Sequence, residues 1–205
     1  MKSLAFSICI AALLWTAMFS PLTAPYLNFW YSMSVSALLL TVLAFIFSRR
    51  TFSTLRIDMT DIVLGIGIAA ALWFVFMVGN VASAWLFPFA PEQIAGIYGM
   101  KAGESSLLLS ILLLCIIGPA EELFWRGYVQ HTLSAHYGPT RAFLLTTFIY
   151  TAIHWASMNF MLLMAALTCG MVWGLLYRLM PNRLAAIRLS HALWDAAVFI
   201  WFPIR

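Results

Sequence analysis

Charge is what this chain has least of. Only 9% of its 205 residues are Asp, Glu, Lys or Arg, where a soluble domain averages about 25%. With 64% of residues hydrophobic, no soluble core of this length could hide the apolar surface, which excludes a soluble globular or disordered protein. The apolar runs are long and do not alternate, which excludes a transmembrane barrel. Cysteine is scarce: Cys9, Cys115 and Cys169 all fall inside apolar runs. Their odd number and spacing fit neither a disulfide framework nor a metal motif, so they read as small buried apolar residues. The sequence has no GxSxG, no SxxK-like pair and no HExxH, which argues against a serine nucleophile and against the common zinc helix. Ser105, Ser106 and Ser157 lack motif context. Internal repeats and low-complexity linkers are absent as well.

What is there is an all-α chain, a polytopic transmembrane bundle of about seven spans. The runs are residues 3–20, 27–47, 62–80 with a continuation over 81–89, 105–134, 141–157, 160–178 and 185–202. Residues 90–104 hold Pro, Gly, Glu and Lys and read as a loop. Pro119 predicts a kink in the fourth helix, and Gly138-Pro139 ends it. Gly170 and Gly174 form a GxxxG close-packing signal on the sixth span. The chain reads as one domain, 1–205, with N-terminal helices over 1–104 and a core over 105–202. Residues 3–20 admit a signal-peptide reading, with Lys2 as its basic end. The apolar stretch is long for that and Pro25 follows the poor cut site at Leu22-Thr23-Ala24, so a retained first helix is favoured.

The net charge of +4 comes from basic residues placed between apolar runs, which orient a membrane protein and make no nucleic-acid patch. With the N-terminus inside, the inner side receives Lys2, Arg49, Arg50, Arg56, Arg126, Arg141, Arg178, Arg183 and Arg188. The outer side receives Lys101 and Arg205. This asymmetry predicts a multi-pass protein of the cytoplasmic membrane with its N-terminus inside.

Inside the spans the ionisable residues come in pairs four apart. Glu122 and Arg126 share a helix face and can neutralise each other. Glu121 is rotated away from them. Tyr150 and His154 lie on the fifth span, His191 and Asp195 on the seventh. Any one pair has a bland reading as a packed polar contact. Three pairs in an otherwise apolar membrane point to a site. A carboxylate desolvated there becomes a stronger base, able to direct water at a carbonyl, and a histidine can donate to the oxyanion. His131 and His136 are expected to meet solvent at a helix end. The tryptophans and remaining tyrosines read as interface anchors and packing.

These residues resemble the CPBP family, also called Abi or CAAX-protease-like intramembrane endopeptidases, related to the type II CAAX prenyl protease. Its EExxxR motif stands here as Glu121-Glu122-Leu-Phe-Trp-Arg126. FxxxH is matched by Tyr150 to His154, with Tyr for Phe, and HxxxN by His191 to Asp195, with Asp for Asn. The resemblance implies hydrolysis of a peptide bond in a membrane-associated substrate, CAAX-like or other. It implies that Glu121 activates water, that His154 assists, and that His191 with residue 195 serves the oxyanion. Glu122, Arg126 and Tyr150 become supporting residues. Because an ionised Asp195 would repel an oxyanion, Asp195 is expected to orient His191, which is then the donor.

Three other readings compete with this one. A zinc metalloprotease would draw ligands from Glu121, Glu122, His154, His191 and Asp195, all of zinc-binding type; no metal or other cofactor is favoured. A non-catalytic membrane scaffold or immunity factor would keep the fold alone. A proton-coupled transporter would want paired half-helices, which the sequence lacks. The expected partners are the lipid bilayer and a membrane-associated peptide, with no nucleic acid. Glu121, His154, His191 and Asp195 are expected to line one cavity opening toward the Arg-rich side.

Overall fold

The computed structural model describes residues 1–48 and 56–204. Arg49, Arg50 and Arg205, counted above for orientation, lie outside the described residues. Eight helical segments carry the fold: α1 (Lys2–Phe19), α2 (Phe29–Phe47), α3 (Met59–Leu86), α4 (Ala90–Gly99), α5 (Ser106–Tyr137), α6 (Pro139–Ala152), α7 (Phe160–Leu179) and α8 (Pro181–Trp201). No strand occurs among the described residues. Six helices, all but α4 and α6, are long and apolar enough to cross a membrane. With the shorter α6 as a further pass, the chain is an integral, multi-pass, all-α bundle.

Polar residues sit where helices begin. Asn28, Ser105 and Asn159 accept the Tyr31, Leu108 and Leu162 amides at the starts of α2, α5 and α7. Asp58 and Asp61 form a reciprocal capping box at the start of α3, each carboxylate accepting from the other's backbone N–H. Arg183, at the start of α8, reaches across to both, at 2.7 and 3.3 Å. The Asp61 amide, with the guanidinium beside it, holds the Asp58 carboxyl below its ordinary range.

Several expectations change. Residues 90–104 are not all loop, because α4 starts there with Pro91 in its first turn, where a missing N–H costs nothing. The continuation after residue 80 is the end of the same helix, which runs unbroken to Leu86. Pro119, where a kink is expected, lies inside α5, which runs on to Tyr137. It sits in an α-helical turn, Gly118–Glu122, between π-helical stretches Leu113–Ile117 and Leu123–Gln130. The Gly118 amide bonds the Leu113 carbonyl five residues back, so the widened turn accommodates the missing proline donor. Cys9 and Cys115 are exposed on the outside of the bundle and only Cys169 is buried. Toward lipid an apolar side chain gains little by burial, so hydropathy alone cannot say which face packs.

Small residues bring the central helices together. A Cβ at Gly118 would lie 2.7 Å from the Ala192 Cα, so α5 and α8 meet backbone to backbone. At Gly170 and Gly174 it would press on Thr147 and Phe143, which fits the GxxxG reading and seats α7 on α6.

Candidate active site

The close approach at Gly118 sets the ionisable pairs of α5 and α8 against each other. Glu122 is fully buried, and its Oε1 accepts from Arg126 Nη1 and from His191 Nδ1, both at 2.8 Å. The Arg126 guanidinium also reaches the Cys169 carbonyl of α7 and lies over the rings of Tyr150 and Trp173. Arg126 is therefore a bundle residue and not a loop charge, a correction to the orientation count. Buried in this way, the Glu122–Arg126 pair is complete only with both partners present.

Because Glu122 is an acceptor, His191 carries a proton on Nδ1. Its other nitrogen, Nε2, faces Asp195 Oδ2 at 3.4 Å. The ring stacks on Trp173 with centroids 3.8 Å apart, and Trp173 is itself held by Ser190. Asp195 was expected to be the residue that orients His191. That contact is present at Nε2, and Glu122 adds a second, shorter hold on the ring at Nδ1, which the sequence did not indicate.

Glu121 points elsewhere, as its rotation on the helix requires. Its Oε2 accepts from the Tyr150 hydroxyl at 3.2 Å. The hydroxyl that distinguishes Tyr150 from the family's Phe thus bonds the motif's first carboxylate. His154 lies two residues past the end of α6, not on the helix as expected, yet the spacing still works: Nδ1 bonds the Tyr150 carbonyl at 2.8 Å. Trp15 of α1 donates its Nε1–H to His154 Nε2 at 3.2 Å. An indole N–H is a donor only, so His154 is the neutral Nδ1–H tautomer with both nitrogens engaged.

One cavity of about 340 Å³ is lined by Glu121, Tyr150, His154, Cys169, Trp173, His191 and Asp195. Glu122 and Arg126 do not line it, which separates the motif's two carboxylates by location. The cavity does not extend toward the arginine-bearing end. It runs to the opposite one, past Phe29 of α2, Phe87 at the end of α3 and Met161 of α7. Three of these helices begin or end there. Among the described residues no group of three or more His, Cys, Asp or Glu is arranged to hold a metal ion.

Sequence reading missed Trp15 and Trp173. Trp15 is 139 residues from the histidine it contacts, and no spacing rule links them. His131, expected in solvent, is half-buried with Nδ1 3.0 Å from the Tyr177 hydroxyl, while His136 is exposed and bonded to the Thr132 carbonyl.

Residues 103–197 match the family described as Type II CAAX prenyl endopeptidase Rce1-like. Over this segment, a little under half of the chain, the sequence is similar to that family. That family is described by an endopeptidase, a peptide hydrolase, and the matched segment holds EExxxR, the Tyr150–His154 pair and the His191–Asp195 pair. Comparison with curated proteins and with solved structures finds no match.

Proposed function

We propose that this chain is an intramembrane endopeptidase of the glutamic type, in which Glu121 activates water for attack on a peptide bond of a membrane-associated substrate. The observation that carries this is the division of labour between adjacent carboxylates. Glu122 is consumed by Arg126 and His191 outside the cavity, whereas Glu121 lines it with the Tyr150 hydroxyl as its hydrogen-bond partner.

Tyr150 engages Oε2, which leaves Oε1 for a water. Glu121 takes one proton from that water as its oxygen adds to the carbonyl carbon. The negative charge then grows on the former carbonyl oxygen, and His191, held as an imidazolium between the Glu122 and Asp195 carboxylates, stabilises it with Nε2–H. Its ring is fixed by Glu122 at Nδ1 and by the Trp173 face. As the tetrahedral centre collapses, the C–N bond breaks and Glu121 returns its proton to the amine nitrogen. His154 contributes the cavity wall. Its Nε2 can touch the water only when Trp15 releases it.

Glu121→Gln tests this. The amide keeps the shape and cannot take the proton, so cleavage of an internally quenched peptide in proteoliposomes should be lost while the purified yield is unchanged. Unaltered cleavage would remove the reading, and a biological effect that survives Glu121→Gln would favour a non-catalytic scaffold.

A further inference from the structure

The bundle has two chemically different ends. α1 begins at one of them, and so do α3, α6 and α8; Lys2, Arg56, Arg141, Arg178 and Arg183 sit there. The contacts of Arg183 with Asp58 and Asp61 tie two of those helix starts together. The other end carries the α1–α2 turn, α4 with Glu92, and the loop with Lys101 and Glu104. α5 and α7 run parallel, with Arg126 reaching the Cys169 carbonyl and Gln130 the Gly174 carbonyl. That register sets Glu121 level with the first turns of α7, nearer the end where no arginine stands among the described residues.

The cavity continues in the same direction. Its lining takes the first turn of α2 at Phe29, the last turn of α3 at Ser83, Phe87 just after it, Met100 after α4, Met161 of α7 and Phe199 of α8. Basic loops stay on the cytoplasmic side of a membrane. We infer that the site takes its substrate from the outer, non-cytoplasmic face: a peptide segment of an exported or outward-facing membrane protein, reaching Glu121 beside α4. This rests on the endopeptidase reading for its chemistry, but the direction of access follows from charge and register alone.

The test reads access without requiring catalysis. In a chain with Cys9, Cys115 and Cys169 changed to Ala, Met100→Cys marks the cavity mouth and Arg56→Cys the opposite end. Intact cells are treated with a membrane-impermeant maleimide. Met100→Cys should label in intact cells, and Arg56→Cys should gain its label only after permeabilisation; the reverse pattern overturns the inference. Fusions to the unaltered chain keep the question open if the cysteine replacements do not fold. The described chain ends beside Tyr98, at the mouth end. A C-terminal alkaline phosphatase should therefore be active and a C-terminal green fluorescent protein dark, and a dark-to-bright exchange of the two overturns it. Labelling is indifferent to Glu121→Gln, so an outward mouth with no hydrolysis would sink the enzyme reading alone, and an inward mouth with hydrolysis would sink the inference alone.

Discussion

The two histidines are committed differently, and this decides what each residue change should do. His191 is gripped at Nδ1 by Glu122 and open to Asp195 at Nε2. Asp195→Asn, the residue the family motif carries, leaves that grip intact and offers an amide to Nε2 or to an oxyanion. It should stay active, whereas Asp195→Ala should lose on the order of 10²–10³-fold in kcat/KM, as when one oxyanion donor is removed. If both variants are equally dead at normal protein level, the negative charge itself is required and a metal-ligand role for Asp195 becomes the better account. Arg126→Ala leaves the fully buried Glu122 with one partner, and breaking such a pair costs about 3–5 kcal/mol. Its signature is a drop in folded yield accompanying lost cleavage. An Arg126→Ala protein with wild-type abundance and activity would contradict the support role.

At the level of helices, the α5–α8 crossing and the α3 cap matter most. Gly118→Ala places a methyl within 3 Å of the Ala192 backbone, which cannot yield as a flexible side chain would. Overpacking of this kind costs about 1–3 kcal/mol and spreads Glu122 from His191. A lowered thermal midpoint together with reduced activity is expected, and an unchanged midpoint would mean that the two backbones are free to part. At the other end, Asp58→Asn keeps a capping oxygen and loses the Arg183 ion pair, while Asp58→Ala loses both. Thermal stability should fall in that order. Because the folded Asp58 titrates below its ordinary value of 3.8, its contribution is present at neutral pH and is lost as pH falls through the folded value. A wild-type advantage over Asp58→Ala that persisted in stronger acid would argue against the charge.

In the whole molecule, α1 is tied to a site made otherwise of α5 to α8. Trp15 is fully buried, edge-on to Trp125, and bonded to His154. Trp15→Ala removes a large buried ring, worth about 3–5 kcal/mol, and should destabilise the bundle and disturb His154 together. Trp15→Phe keeps an aromatic ring there and removes only the N–H. It should fold normally, so any change in its pH–rate profile reports the His154 contact by itself. Identical profiles for wild type and Trp15→Phe would confine Trp15 to packing.

Fold class and the ionisable groups of the candidate site were legible in the residue string. Charge scarcity forces the backbone into membrane helices, and i,i+4 spacing places two polar groups on one face whatever surrounds them. That is why Glu122–Arg126, Tyr150–His154 and His191–Asp195 all appear as pairs in space. Local spacing also separated Glu121 from Glu122 by rotation alone. It could not say which partner on another helix each would meet. The Glu122 grip on His191, the Tyr150 hydroxyl on Glu121 and the Trp15 cap on His154 were decided only by packing, because they join residues far apart in sequence. The direction of the cavity was likewise invisible, since it depends on which helix ends splay apart. Hydropathy, blind to which apolar face meets lipid and which meets protein, left Cys9 and Cys115 on the wrong side.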